Sequence, residues 1–220
     1  MNKHRQVFEI PKDLPPSRRE HDHGIPLILG SQPTNVCPYR HPFAQKNEIE
    51  KIIHELLQEG VIHPSTRPYS SPVVLKKEGD WRMCIPITND LLDELHGAQY
   101  FTKLDLRLGC HQIRMKEADI PKTTFHTHEG HYEFLVISFG ICNAPSTFQS
   151  LVSNIFKPFL RKFVLIFFDD ILIYGKTWES HVERVDKCLQ LLRERQLFLK
   201  HSKCAFGASK VEYLGHCKQG

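Results

Sequence analysis

A chain of 220 residues that is 40% hydrophobic and 25% charged can bury one core, or two subdomains sharing one, and is not globally disordered. No apolar run is long enough to cross a bilayer, and the N-terminal MNKHRQVFEIPKDLPPSRREHDHG has no apolar core of the kind a signal peptide carries. The net charge of +4 suits a polyanionic partner without demanding one, and seven cysteines with no CxxC pattern point to reduced thiols in an intracellular protein that is not secreted.

Residues 1–42 carry seven of the 14 prolines and no apolar period, which reads as a linker or an extended arm lying over something else. Organisation begins at Gln45. Ile49, Ile52, Ile53, Leu56 and Leu57 fall at i, i+3, i+4, i+7 and i+8, and Gly60 stops what is predicted as an amphipathic helix. SSPVVLKKEGDWRMC has the β-branched run and Gly-Asp turn of a hairpin, and NDLLDELHG reads as a short helix closed by Gly97. QYFTKLDL alternates as a strand with Asp105 near its C-terminal end.

IRMKEADIPKTTFHTHEGHYEFLVISFG follows as strands and turns. NAPSTFQSLVSNIFKPFL is then predicted as a helix, with Asn143 as N-cap, Pro145 in its first turn, and Phe148, Leu151, Val152, Ile155, Phe156 and Phe159 as its buried stripe. SHVERVDKCLQLLRERQ opens with a Ser180-x-x-Glu183 capping box and carries Val182, Val185, Leu189 and Leu192 on one face. LFLKHSKCAFGASKVEYLGH closes the region as short strands with glycine turns. Helices mixed with hairpins, without βαβ alternation, make the expected class α+β.

Between the last two helices lies RKFVLIFFDDILIYG, where Asp169 and Asp170 sit between two apolar runs. Adjacent carboxylates there repel each other and resist desolvation unless something offsets both. Two readings stay open on the tandem alone, a hairpin turn and a metal site, although the Gly that favours two-residue turns is missing. Asp105 supplies a third carboxylate from a neighbouring strand. Three carboxylates on two strands could hold two Mg²⁺ ions about 3.5–4 Å apart, a spacing suited to in-line phosphoryl displacement.

Several blocks carry a family resemblance. FFDD within VLIFFDDILIY, LDL before GCHQIRM, and THEGHYEFLVISFGICNAPSTFQ resemble the reverse transcriptase of gypsy-type LTR retrotransposon Pol polyproteins, as do LPPSRREHDH, PYSSPVV, WRMC, LLDELHGA and VEYLGH. They run in the family's order over nearly all of residues 11–217. The resemblance implies a right-hand polymerase palm, an antiparallel sheet with packed helices, plus a truncated fingers subdomain. On that reading residues 1–41 are the arm, 42–98 the fingers, and 99–220 the palm with interleaved fingers strands and catalytic and primer-positioning hairpins.

The implied activity is RNA-directed DNA polymerisation, with Asp105, Asp169 and Asp170 binding two Mg²⁺ ions (Mn²⁺ being the alternative). The implied partners are dNTP, an RNA or DNA template with primer, and the protease, ribonuclease H and integrase of the polyprotein, in a cytoplasmic particle or the nucleus, with no membrane. The resemblance also implies nucleotide contacts from Lys76, Arg82, Leu106, Cys110, Phe139 and Gly140, and primer positioning by Leu214, Gly215 and His216. A tight turn at Gly140 and an ordinary glycine turn at Gly215 are the alternative readings there.

Two departures bear on activity. Cys84 runs straight into Ile85 where the family has a further strand and loop of roughly fifteen residues. Cys110 stands where the family usually has a Tyr that packs under the sugar, so nucleotide binding and sugar discrimination are expected to weaken by about 1–3 kcal/mol. The alternative function is therefore an inactive remnant that at most binds nucleic acid. The His126, His128, His131 set is read as a hairpin turn that splays its rings, and His201, Cys204, His216 and Cys217 as buried thiols and turn residues; neither is read as a zinc site.

Overall fold

A computed structural model describes residues 2–11, 13–31, 42–66, 71–72, 95–138, 140–167, 169–213 and 216–219. The expected 70–84 hairpin apart from Ser71 and Pro72, and all but the last turn of the 89–97 helix, lie outside the described residues, as do Lys76, Arg82, Phe139, Leu214, Gly215 and the junction of Cys84 with Ile85. The chain divides into two compact units, one of 1–10, 83–109 and 145–220, the other of 11–82 and 110–144. Mostly antiparallel sheets with packed helices, Ser71–Pro72 and Phe125–His126 alone pairing parallel among the described strands, make it α+β, as expected. No helix among the described residues is long and apolar enough to cross a membrane.

The first unit is built on a sheet ordered β6-β7-β3-β8, from β3 (Tyr100–Asp105), β6 (Val164–Phe167), β7 (Asp170–Gly175) and β8 (Ala205–Ala208). Alternation sends Phe101, Leu172, Tyr174 and Leu165 to one face, where they form a buried cluster with Leu95, Ala98 and Val211. Thr102, Leu104, Ile171, Ile173 and Val164 of the other face are also buried. Each such apolar side chain contributes about 1.5–3 kcal/mol of burial, so both faces of β3 and β7 are strongly held. β9 (Lys210–Tyr213) and β10 (His216–Gln219) pair antiparallel, with Tyr213 opposite His216.

The two helices of this unit explain two glycines. In α2 (Ala144–Phe156), Phe148, Leu151, Val152 and Phe156 are buried, while Ile155 is only half-buried. The Phe148 ring lies over Gly109, where a Cβ would come within 2.7 Å of it. In α3 (Trp178–Glu194), His181 packs on Gly175 and its Nε2 lies 2.8 Å from Thr102 Oγ1. The first residues also belong here: Val7 and His4 are buried, Val7 C=O accepts from Leu199 N–H, and Lys3 and His4 both reach Asp186 on α3.

Two expectations about α3 need correction. Its N-cap is Thr177, whose hydroxyl accepts from the Ser180 N–H, so the helix starts three residues before the predicted capping box. Thr and Ser both serve as caps in sequence, and the upstream one, two residues past the end of β7, is the one used. Val182 is exposed, and the buried stripe is His181, Cys188, Leu189 and Leu192.

The second unit holds α1 (Phe43–Gln58) and a sheet ordered β1-β5-β4-β2, from β1 (Ile62–Pro64), β2 (Ser71–Pro72), β4 (Phe125–His126) and β5 (His131–Phe134). Ile49 and Ile53 of α1 bury against Val61, Ile62, Phe125 and Val136, with Leu56 at the margin. Ile52 and Leu57, expected on the same face, lie at its exposed edge. Gly60 ends the helix with φ +67°, the left-handed conformation its position requires. Asn143, at the residue before α2, uses its side chain on the His23 ring and the Gly24 carbonyl.

Candidate active site

Sequence places Asp105 and the Asp169–Asp170 tandem far apart, and the sheet register brings them together. β3 pairs with β7 antiparallel from Tyr100 opposite Gly175 to Asp105 opposite Asp170, so the two carboxylates are direct cross-strand neighbours at the end of the ladder. Their Cβ atoms are therefore about 4.5–5.5 Å apart. β6 and β7 pair as far as Phe167 opposite Asp170, which puts Asp169 in the tight turn between them. The tandem thus lies at a hairpin turn, with Asp169 in the turn and Asp170 opening β7 opposite Asp105.

The backbone locks this end of the sheet. Leu106 N–H donates to Asp169 C=O at 3.1 Å, Lys200 N–H to Asp105 C=O at 2.9 Å, and Arg107 N–H to Phe198 C=O at 2.9 Å. Asp105 N–H points to Cys204 Sγ at 3.5 Å, and that thiol in turn donates to Lys200 C=O. Leu106 is 1% exposed, so what it gives the site is its backbone, and its side chain belongs to the core.

The electrostatics are costly. Burial raises the Asp105 carboxyl above the ordinary carboxylate value, with Lys203 opposing and Asp169 and Asp170 adding to the rise. Burial also raises Asp170, against the Lys103 hydrogen bond and charge, with Asp169 again adding. Lys103 Nζ sits 2.8 Å from Asp170 Oδ2. Asp169 is exposed. Half-buried like charges that the fold forces together, with one ammonium among them, are the pattern that a bound cation relieves. The donor set is all oxygen, which suits Mg²⁺ or Mn²⁺.

Sequence reasoning missed Lys103, Lys203 and Cys204. Lys103 had a signal, since it lies two residues before Asp105 and so on the same strand face. Lys203 and Cys204 had none, because only the tertiary fold brings the segment after α3 alongside β3.

The remaining residues are distributed as follows. Gly140 has φ +99° with open space around its Cα, which accounts for the turn reading. Cys110 is half-buried and in no disulfide, and its carbonyl accepts from Ile113 N–H. His216 begins β10, opposite the last residue of β9.

The HTHEGH hairpin splays its histidines only in part: two of the rings stack and the third turns away, so the three do not converge. Register sets His126 opposite His131, and their rings stack at 5.5 Å, while His128 reaches Glu50 on α1 at 2.5 Å. Glu50, His128 and Glu129 are the only described groups that bring three metal-type donors within 4.8 Å of one another. They are half-buried to exposed, and the imidazole and carboxylate already satisfy each other. The three aspartates of the sheet are not gathered that tightly; there Lys103 holds one of them.

A carboxylate trio at the end of an antiparallel sheet, carried by a strand and a hairpin, is the arrangement expected of a palm-type polymerase. The reverse transcriptase (RNA-dependent DNA polymerase) family matches residues 41–217, and the chain belongs to that family. It is 38% identical over 207 residues to the Pol polyprotein of transposon opus and 37% identical over 202 residues to that of transposon 297, both from Drosophila melanogaster. It is 32% identical over 196 residues to the Tf2-3 polyprotein of Schizosaccharomyces pombe. These matches take in 84%, 80% and 81% of the chain but 21%, 19% and 15% of the relatives, so the chain spans about a fifth or less of their length.

Among solved structures, a protease-reverse transcriptase of prototype foamy virus superposes with a TM-score of 0.73 at 26% identity, over 87% of this chain and 28% of that one. A foamy viral protease-reverse transcriptase in complex with an RNA/DNA hybrid gives the same TM-score at 22% identity, over 86% and 28%, a likeness of fold.

Proposed function

We propose that the chain is the fingers-and-palm part of a gypsy-type retrotransposon RNA-directed DNA polymerase, which transfers nucleotidyl units from dNTPs to a primer 3′-hydroxyl on an RNA or DNA template. The observation that carries this reading is the pairing of Asp105 with Asp170 at the end of the β3–β7 ladder, with Asp169 in the adjoining turn. Asp105, Asp169 and Asp170 would hold two Mg²⁺ ions, or Mn²⁺ in their place. Bound there, the ions supply Lewis acidity to the primer hydroxyl and to the departing pyrophosphate.

The chain's own residues do the rest. The ladder fixes the backbones of Asp105 and Asp170 side by side without any ligand, so the two carboxylates need only side-chain adjustment. Asp169, exposed at the turn, offers its carboxylate on the solvent side. Lys76, Arg82, Cys110, Phe139 and Gly140 belong to the nucleotide pocket on this reading, and Leu214, Gly215 and His216 to the primer hairpin. The intact polyprotein, with its protease, ribonuclease H and integrase, acts inside the cell.

A second reading, a palm that binds nucleic acid without turning over, is favoured by the junction of Cys84 with Ile85 and by Cys110. Incorporation of dTTP on poly(rA)–oligo(dT) separates the two. Incorporation by the chain that is abolished in Asp169→Asn/Asp170→Asn supports the polymerase. Incorporation only after the family's missing strand is restored at residue 84 supports the inactive palm, and none even then refutes the polymerase reading.

A further inference from the structure

The sheet that gathers the three aspartates also supplies a cation of its own. Lys103 lies two residues before Asp105, on the same face of β3, and diagonally across the ladder from Asp170. Its ammonium is 2.8 Å from Asp170 Oδ2, and the two side chains are 27% and 24% exposed, so the pair is neither fully solvated nor dry. It is the only lysine in ion-pair contact with the trio among the described residues; Lys203 acts on Asp105 and Asp170 from a greater distance.

Resting on the reading of the trio as a metal site, we infer that Lys103 is the resident counter-ion of that site: it occupies Asp170 in the metal-free chain and must release it when a divalent cation binds, so that Lys103 sets the metal affinity. An Asp170 oxygen that accepts from an ammonium has a lone pair engaged, and the approaching cation meets a like charge. Lysine suits this role because a single point charge on a flexible four-carbon stem swings away without moving the strand, whereas a guanidinium fork would grip the carboxylate at two points. In the metal-free state Lys103 spares the fold part of the repulsion between Asp105, Asp169 and Asp170. The same contact then makes the chain's affinity for metal weaker than its carboxylates alone would give.

The test is Mn²⁺ binding to the 220-residue chain, read from the electron paramagnetic resonance signal of free Mn²⁺, in wild type, Lys103→Met, Lys103→Arg and Asp169→Asn/Asp170→Asn. Lys103→Met should bind about threefold to fivefold more tightly, the factor that freeing a half-exposed ion pair gives. Lys103→Arg should bind no more tightly than wild type, and the double aspartate variant should lose the site. Equal affinities in wild type and Lys103→Met, with binding still lost in the aspartate variant, would overturn the counter-ion role and leave the metal site standing. Undiminished binding in the aspartate variant would overturn the metal site itself.

A second measurement needs no destabilising variant. With ¹³C-dimethylated lysines, the Lys103 resonance, assigned by its absence in Lys103→Arg, should shift on Mg²⁺ addition with the midpoint of metal binding. A resonance that stays fixed through saturation would contradict the release.

Discussion

The two acidic groupings of this molecule make opposite impressions by distance and by energy. In the second unit, Glu50, His128 and Glu129 draw their donors within 4.8 Å, the spacing of a metal centre. In the first, Asp105, Asp169 and Asp170 are more loosely gathered, and an ammonium holds one of them. Yet the tight cluster is a partly exposed imidazole–carboxylate pair that the fold holds at little cost. The looser one sits on a ladder buried on both faces, with two carboxyls displaced upward by burial and mutual repulsion. Donor proximity alone is a poor guide to function; an electrostatic cost that the fold sustains is a better one.

The supporting sheets differ in the same sense. β3 and β7 run six residues each in unbroken register, whereas β2 and β4 have two each. Truncating Leu172, fully buried between Lys103 and Leu165 in the ladder, should therefore have the largest effect in the molecule. Leu172→Ala is expected to cost about 2–5 kcal/mol in denaturant unfolding and to disturb Asp170 with it. The half-buried Tyr132 of β5 should cost clearly less when cut to Ala. Equal losses would remove the contrast between the two sheets.

Asp105→Asn sharpens the comparison from the site itself. It removes a half-buried charge that its neighbours oppose, so the metal-free chain should gain about 0.5–2 kcal/mol while losing nucleotide incorporation. Thermal melting in a chelator, set beside the incorporation assay, checks both halves. A loss of stability would mean that the carboxylate is a structural group.

The fold class and much of the site are legible in the order of residues alone. Helical periods mark α1, α2 and α3, Gly60 marks a helix end, and Asp105 and the tandem stand out because apolar strands rarely end on bare carboxylates. What escapes depends on register or on distant segments. Lys103 is visible on the correct face, but its partner follows from which residue of β7 lies opposite. His128 finds Glu50, 78 residues earlier, and nothing local to HTHEGH announces that. Thr177 is the cap in place of Ser180, where local chemistry accepts either.

Acid should separate the units more gently. Burial lowers His23, His126 and, to about 4, His111 in the second unit, and His181 in the first. Each stays neutral in the fold at a pH where the unfolded chain would protonate it, so its stabilisation is present above about pH 6.5 and is lost as pH falls toward the folded value. Asp105 and Asp170 work the other way. Their raised values mean that acid relieves a penalty in the first unit, and that penalty returns as pH rises through them. Hydrogen exchange followed from pH 7 to pH 5 should show protection falling first in 43–66 and 110–138. Simultaneous loss in β3 and β7 would contradict this.

The smallest effect belongs to the tight cluster. Glu50→Gln removes the partner of His128 and should change stability by about 0–1 kcal/mol, as a partly exposed pair does, with no change in Mn²⁺ affinity.

The two groupings can be set against each other in one experiment. Fe²⁺ with ascorbate and peroxide cuts a polypeptide beside the place where the ion is held. The account predicts cleavage near residue 105 and near residues 169–170, suppressed by excess Mg²⁺ and absent in Asp169→Asn/Asp170→Asn. Cleavage confined to the neighbourhoods of residues 50 and 128–129 would contradict it and move the metal site to the other unit.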